Sequence, residues 1–386
     1  MSIELAQAAA PRLLGSRLVH LDMLRGLAAL AVVIDHMRGF LLVHYGALQA
    51  PGFADKALYL LAGLGHQAVI AFFALSGYLV GGKAVKNMLS GSWSGPQYMV
   101  ARLARLWTVV IPALEMTLAL DVVGRALGGG AGYDGVYWNL LSSGPHSGEP
   151  ADNSLATFFA NAFFLQTIVA PAYGTNGPLW SLANEFWYYV IFSLAASAII
   201  SRRSVYRRLV AAAGAAVLAL ALPSEMLLLG TIWVAGAITN HMTMFPRLRR
   251  LFANPIYLTA TACAVGGSIL RQRSSLAATA HDIVLGGAWA LLLPALAALP
   301  HWGGLYARLA LGLSEISYTL YATHFPFLAL VWFTALAPKQ FAPGPASLVL
   351  ATGLLALTLL YAGAIWWCFE RNTARIRAAA IRALGG

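Results

Sequence analysis

A chain of 386 residues that is 59% hydrophobic and only 10% charged is not an ordinary soluble domain, in which charged residues run near about 25%. Its mean hydropathy of +0.70 marks a polytopic membrane protein. The formal net charge of +11 is read as membrane orientation, with Lys and Arg gathered in short loops, and no nucleic-acid partner is expected.

Met1–Val19 has neither an apolar core nor a small-residue cleavage site, so the first hydrophobic run is expected to be a retained anchor. That run, Leu21–Leu42, carries Asp22, Arg25, Asp35, His36 and Arg38. Arg25 and His36 are eleven residues apart. At about 100° per residue this is about 20° past three turns, so both share one face, roughly 16 Å apart along the axis. Ionisable groups are costly against lipid, so the stripe is expected to line a protein interior or a wet cavity. The plainer alternative is an arginine at the membrane rim and a core histidine bonded to a carbonyl. Asp22, one turn below Arg25, is expected to pair with it, whereas Asp35 points about 100° away from His36.

Further apolar runs follow at Gly65–Gly82, Leu103–Val123, Leu155–Ala170, Glu185–Ile200, Leu209–Leu222, Met226–Asn240, Phe252–Leu270, Ile283–Leu299, Ile316–Leu336 and Ala346–Phe369. Leu155–Ala170 is short for a span and contains Asn161 and Gln166, so it is assigned as a re-entrant or interfacial helix packed against protein. Ten transmembrane helices remain. With both termini cytoplasmic, the inner segments hold eighteen of the 25 Lys and Arg residues and the outer segments six, as the positive-inside rule favours. The expected fold is all-α: an integral membrane domain over residues 1–370 and a basic cytoplasmic tail helix over 371–386. No internal repeat is visible.

Several polar stretches interrupt these runs. Ser76 and Gly77 sit in Ala71–Gly82, where small residues let helices approach closely. Arg102 and Arg105 share a helix face; they are either topology signals or a clamp for phosphates. The glycine-rich segment Gly124–Asn153 offers Tyr133, Tyr137 and Trp138 as either a sugar-stacking platform or interfacial anchors. Trp180, Ser181 and Glu185 lead into a span, and Ser317, Tyr318 and His324 lie within a later one. Cys263 and Cys368 fall in apolar runs, and the other histidines show no metal-ligand spacing, so no metal is expected.

The run Leu21–Ala29 with Arg25-x10-His36 resembles the opening motif of the acyltransferase 3 family of membrane acyltransferases. Phe72–Leu79, Gly177–Glu185, Ile316–Pro326 and Glu370-Arg371 are similar to its later motifs, in the same order along nearly the whole chain. Phe186 and Asn372 depart from the family pattern, where an acidic residue and a proline are usual. The resemblance implies transfer of an acyl group, usually acetyl from acetyl-CoA, to a hydroxyl of a cell-envelope glycan or lipid-linked sugar at the bacterial inner membrane. Many relatives also carry a soluble hydrolase-like domain, so acceptor recognition here is expected to fall to the membrane domain or a partner.

On that basis Arg25, Arg102 and Arg105 are expected to bind acyl-CoA, with Arg25 and His36 as the catalytic pair: Arg25 to stabilise phosphate or polarise the thioester, and His36 to act as general base or acyl carrier. Asp22, Ser76, Trp180, Ser181, Glu185, Ser317, Tyr318 and His324 are expected to bind the acceptor or support the site, including holding His36 in one tautomer. Oligomeric state is left open. The rival function is a glycan or lipid transporter, which would be expected to show repeats and broken helices.

Overall fold

The computed structural model describes residues 18–141, 144–200, 204–271 and 278–383. Arg12, Arg17, Arg202, Arg203 and Arg273 of the charge argument, and the last three residues of the tail, lie outside them. The protein is all-helical, 80% helix, and among the described residues no strand forms beyond isolated bridges. A membrane favours this, because an α-helix satisfies its own backbone groups without water.

Five helical stretches among the described residues are long and apolar enough to cross a membrane: Phe53–Leu89, Gly95–Tyr133, Ala278–Ala298, Gly304–Leu336 and Pro345–Ala383. By length and composition alone, these five stand out as membrane spans. Val19–Leu41 has 23 residues, but it carries the four charged side chains Asp22, Arg25, Asp35 and Arg38. The other runs are also helical, as Trp180–Ile199, Val205–Ala221, Ser224–Met242 and Pro255–Leu270. Helix starts are marked by serine caps. The Ser94 hydroxyl accepts from the Gln97 N–H at the head of Gly95–Gly124, and Ser204 does so for Val205–Ala221. Large apolar side chains stand outward, among them Leu220 at 88% and Val349 at 73% exposure, a surface suited to lipid.

Leu155–Ala170 is not one helix. It is helical only over the eight residues Leu155–Ala162, far too short to span. Beyond that the chain turns through positive φ at Phe164 and Thr167. The polar residues explain the break. The Asn161 amide donates to the Thr157 and Pro171 carbonyls and accepts from the Tyr173 N–H, and Gln166 donates to the Leu179 carbonyl. These side chains satisfy irregular backbone that lipid could not. Ahead of the helix, Asp152 accepts from the Thr157 hydroxyl and the Ser154 N–H, which hold its carboxyl below the usual range.

The chain divides into two compact units. One holds residues 18–30, Gln67–Gly91 and Leu228–Ser317. Here the small residues of the Ala71–Gly82 run act in packing. A π-helical turn covers Gly77–Gly81, and a Cβ at Gly77 would fall on the Trp233 carbonyl. The Trp233 indole N–H donates to the Ser76 hydroxyl at 3.2 Å.

The second unit holds Ala31–His66, Ser92–Leu227 and residues 318–383. Its aromatic core gathers Phe40, Tyr133, Phe325, Trp332 and Phe333. Tyr133 is fully buried, edge-on to Phe333 at 5.0 Å, and Tyr137 packs edge-on against Trp332 at 5.3 Å. Tyr133 is therefore core rather than a sugar platform. Trp138 stacks on His146 at 3.6 Å. The tail forms the helix Thr373–Ala383, whose Thr373 hydroxyl meets that of Thr108 at 2.8 Å.

Candidate active site

Within the second unit, His36 and His324 meet with Nδ1 of the first 2.8 Å from Nε2 of the second, although 288 residues separate them. A nitrogen pair at that distance needs one donor and one acceptor. Nδ1 of His324 faces the carbonyls of Leu320 and Tyr321 at 3.0 and 2.8 Å. Carbonyls only accept, so His324 Nδ1 carries its proton. In a neutral ring this makes His324 Nε2 the acceptor, and His36 Nδ1 must donate to it. The lone pair of His36 is thereby assigned to Nε2. His36 is half-buried, whereas His324 is fully buried.

The turn that carries His324 is a built feature. Pro326 lies inside the helix Gly304–Val331 and has no N–H for the carbonyl of Ala322, four residues earlier. The Asn176 amide supplies that hydrogen bond at 2.9 Å, and it also donates to the Thr117 hydroxyl at 3.0 Å. One residue before Ala322, the Tyr321 hydroxyl donates to the Pro178 carbonyl at 2.9 Å. Its proton being spent there, the Ser181 hydroxyl donates to it at 2.6 Å. The Asn176–Ser181 stretch is thus tied by three hydrogen bonds to the helical turn that presents His324.

Arg102 and Arg105 lie on the helix Gly95–Gly124 in the same unit. The Arg105 guanidinium pairs with Glu370 at 2.6 Å and covers the Tyr318 ring at 5.2 Å. Glu370 is buried and also accepts from the Thr319 N–H and hydroxyl, at 3.2 and 2.5 Å. Arg102 stands over the rings of Tyr98 and Tyr189, 5.9 Å from each. The Tyr189 hydroxyl in turn donates to Glu185 in a short hydrogen bond.

The remaining predicted residues belong mostly to the first unit. Ser314 bridges Asp22 and Arg25: its hydroxyl donates to Asp22 at 3.1 Å and accepts from Arg25 at 3.2 Å, with the two charges 3.9 Å apart. Ser317 is buried and returns its hydroxyl to the Ser314 carbonyl of its own helix at 2.7 Å. Arg25 and His36 do share one unbroken helix, Val19–Leu41. Asp35 pairs with Arg38 at 2.8 Å. In the second unit, Trp180 opens its helix half-buried. Among the described residues no group of three His, Cys, Asp or Glu side chains is placed to hold a metal.

A family described as an acyltransferase domain matches residues 18–369, which include both histidines, both arginines and the Asn176–Ser181 stretch. The chain belongs to the acyltransferase 3 family. No curated protein and no solved structure matches it. As a member of the acyltransferase 3 family it is an integral membrane acyltransferase.

Sequence reasoning gave no role in the site to Asn176, Tyr321 or Glu370. An asparagine and a tyrosine in apolar sequence carry no periodicity that names a partner. Glu370 did carry a signal, a carboxylate at the end of an apolar run, but its partner Arg105 lies 265 positions upstream.

Proposed function

We propose that this acyltransferase moves an acyl group, acetyl in the first instance, from cytosolic acyl-CoA to a hydroxyl of a cell-envelope glycan or lipid-linked sugar. The observation that carries this reading is the directed His36–His324 pair, which leaves His36 Nε2 as an available base. In the reaction, His36 Nε2 takes the proton of the acceptor hydroxyl as its oxygen attacks the thioester carbonyl. Collapse of the tetrahedral intermediate breaks the carbon–sulfur bond, and the proton on His36 passes to the departing thiolate. Transfer through an acyl group carried on His36 itself is the variant of the same chemistry.

Arg102 and Arg105 belong to the donor side of this scheme. Arg25, by helical spacing on the face of His36, is assigned to the donor's phosphate or thioester carbonyl. Trp180, Ser181, Ser317, Ser76 and Asp22 support the acceptor, and Glu185 and Tyr318 the machinery beside Arg102 and Arg105. The proposed topology has ten spans over residues 1–370, with both termini and the basic tail on the cytoplasmic side of a bacterial inner membrane, as the Lys and Arg bias favours. The reaction as proposed uses no metal.

The deciding experiment is transfer from radiolabelled acetyl-CoA by purified protein in nanodiscs, comparing wild type with His36→Ala. Loss of thioester turnover with CoA binding retained is the expected result. A wild type that neither binds nor consumes any acyl-CoA tested overturns the donor assignment.

A further inference from the structure

Buried hydrogen-bonding groups in proteins are nearly always paired, so a cluster of orphans in one place calls for an occupant. The second unit holds such a cluster. The Trp93 indole nitrogen, the Tyr98 hydroxyl, Nε of Arg102 and the Tyr318 hydroxyl are all buried with no hydrogen-bond partner. They are neighbours. The Trp93 and Tyr98 rings are 5.0 Å apart, Arg102 covers Tyr98, and the two arginines one turn apart each cover a phenol, Tyr98 and Tyr318. Glu185 is a charged neighbour of both phenols. The Phe192 ring packs 5.9 Å from that of Tyr98.

The charges decide what such a cluster accepts. Two arginines face two carboxylates, Glu185 and Glu370, so the cluster is formally neutral. Arg105 is already committed to Glu370 at 2.6 Å. A phosphate clamp calls for surplus positive charge and free guanidinium forks, and the pairing of Arg105 removes half of that. What remains is a set of donors suited to carbonyl oxygens, a carboxylate suited to an N–H or O–H, and aromatic walls suited to methyl and methylene groups. This matches an uncharged, amide-bearing chain.

Resting on the acyl-CoA reading above, we infer that Tyr98, Tyr318, Arg102 and Glu185 line the slot for the neutral pantetheine arm of the thioester, not for its phosphates. The Tyr98 and Tyr318 hydroxyls and Arg102 Nε–H meet the amide carbonyls of the arm. Glu185 receives an amide N–H or the arm's hydroxyl. Arg105 is a positioning residue that holds Tyr318 and is itself held by Glu370.

The test uses the full protein in nanodiscs with Tyr98→Phe and Tyr318→Phe, which delete only the orphan hydroxyls. Titrations with CoA and with adenosine bisphosphate, the nucleotide half alone, are compared, together with turnover of S-acetylpantetheine, the arm alone. Each substitution is expected to weaken CoA binding and raise the KM for S-acetylpantetheine by about three- to tenfold, the worth of one neutral hydrogen bond. Binding of adenosine bisphosphate is expected to stay at the wild-type value. Thermal stability without ligand should hold or rise, because a buried hydroxyl without a partner stabilises nothing.

Weakened adenosine bisphosphate binding would make this a phosphate site and overturn the inference, as would unchanged CoA affinity in both variants. A clear drop in stability without ligand would also overturn it, by showing the hydroxyls already spent within the protein. If wild type binds neither CoA nor S-acetylpantetheine, the acyl-CoA reading fails first, and this inference with it.

Discussion

Arg105 Nη1 lies 2.6 Å from Glu370 Oε1, the carboxylate 1% exposed and the guanidinium 38%. Such a pair is weak evidence of net stabilisation, but removing one partner leaves the other's charge stranded. Arg105→Gln is expected to destabilise the protein by about 3 kcal/mol, the low end for a buried pair because the guanidinium is partly hydrated. Glu370→Gln keeps an oxygen for Thr319, so it should cost less. Thermal unfolding of both single variants and the double variant closes the cycle. Additive losses would show that the two groups do not act as a pair.

His324 acts on His36 through a single hydrogen bond, so its loss should affect turnover rather than donor binding. His324→Ala is expected to lower kcat for acetyl transfer about 10- to 100-fold, the usual penalty for removing a group that orients a functional imidazole. CoA affinity should stay at the wild-type value. His36→Ala should cost about 100- to 10,000-fold, the range for a general base. Equal, near-wild-type kcat for His324→Ala would show that the ring plays no orienting role.

Asn176 supplies the hydrogen bond that Pro326 cannot. Asn176→Leu, nearly isosteric, leaves the Ala322 carbonyl and the Thr117 hydroxyl without their partner and should destabilise by about 1–3 kcal/mol. It should also lower kcat, because the same turn presents His324. Unchanged melting with unchanged kcat would mean that another group satisfies Ala322. Tyr321→Phe removes the donor to Pro178 at the same turn and is expected to behave likewise, at about 1 kcal/mol.

Two glycines of the membrane helices should respond in opposite ways. At Gly77 an added Cβ meets the Trp233 backbone, which cannot swing aside as a side chain can. Gly77→Ala is expected to destabilise by about 1–3 kcal/mol through overpacking. Gly353, in the helix Pro345–Cys368, has nothing within 4 Å of such a Cβ. Gly353→Ala should be neutral or stabilising by up to about 1 kcal/mol from helix propensity. A matched pair of melting curves separates them, and equal responses would discount the Trp233 contact.

Sequence by itself determined the class of this protein, and for a local reason. Hydrophobic periodicity and the eleven-residue step from Arg25 to His36 are properties of neighbouring residues, so they can be read along the chain. The weak run Leu155–Ala170 was suspect for its Asn161 and Gln166, and those same side chains hold the irregular backbone there. Only the tertiary structure decided the partners. His36 meets His324 across 288 positions, Arg105 meets Glu370, Asn176 reaches Ala322, and Tyr133 enters the core rather than facing a sugar. Packing chooses such pairs, since a buried polar group takes whatever partner the folded chain brings within hydrogen-bond distance, and no spacing in the sequence records which one that is.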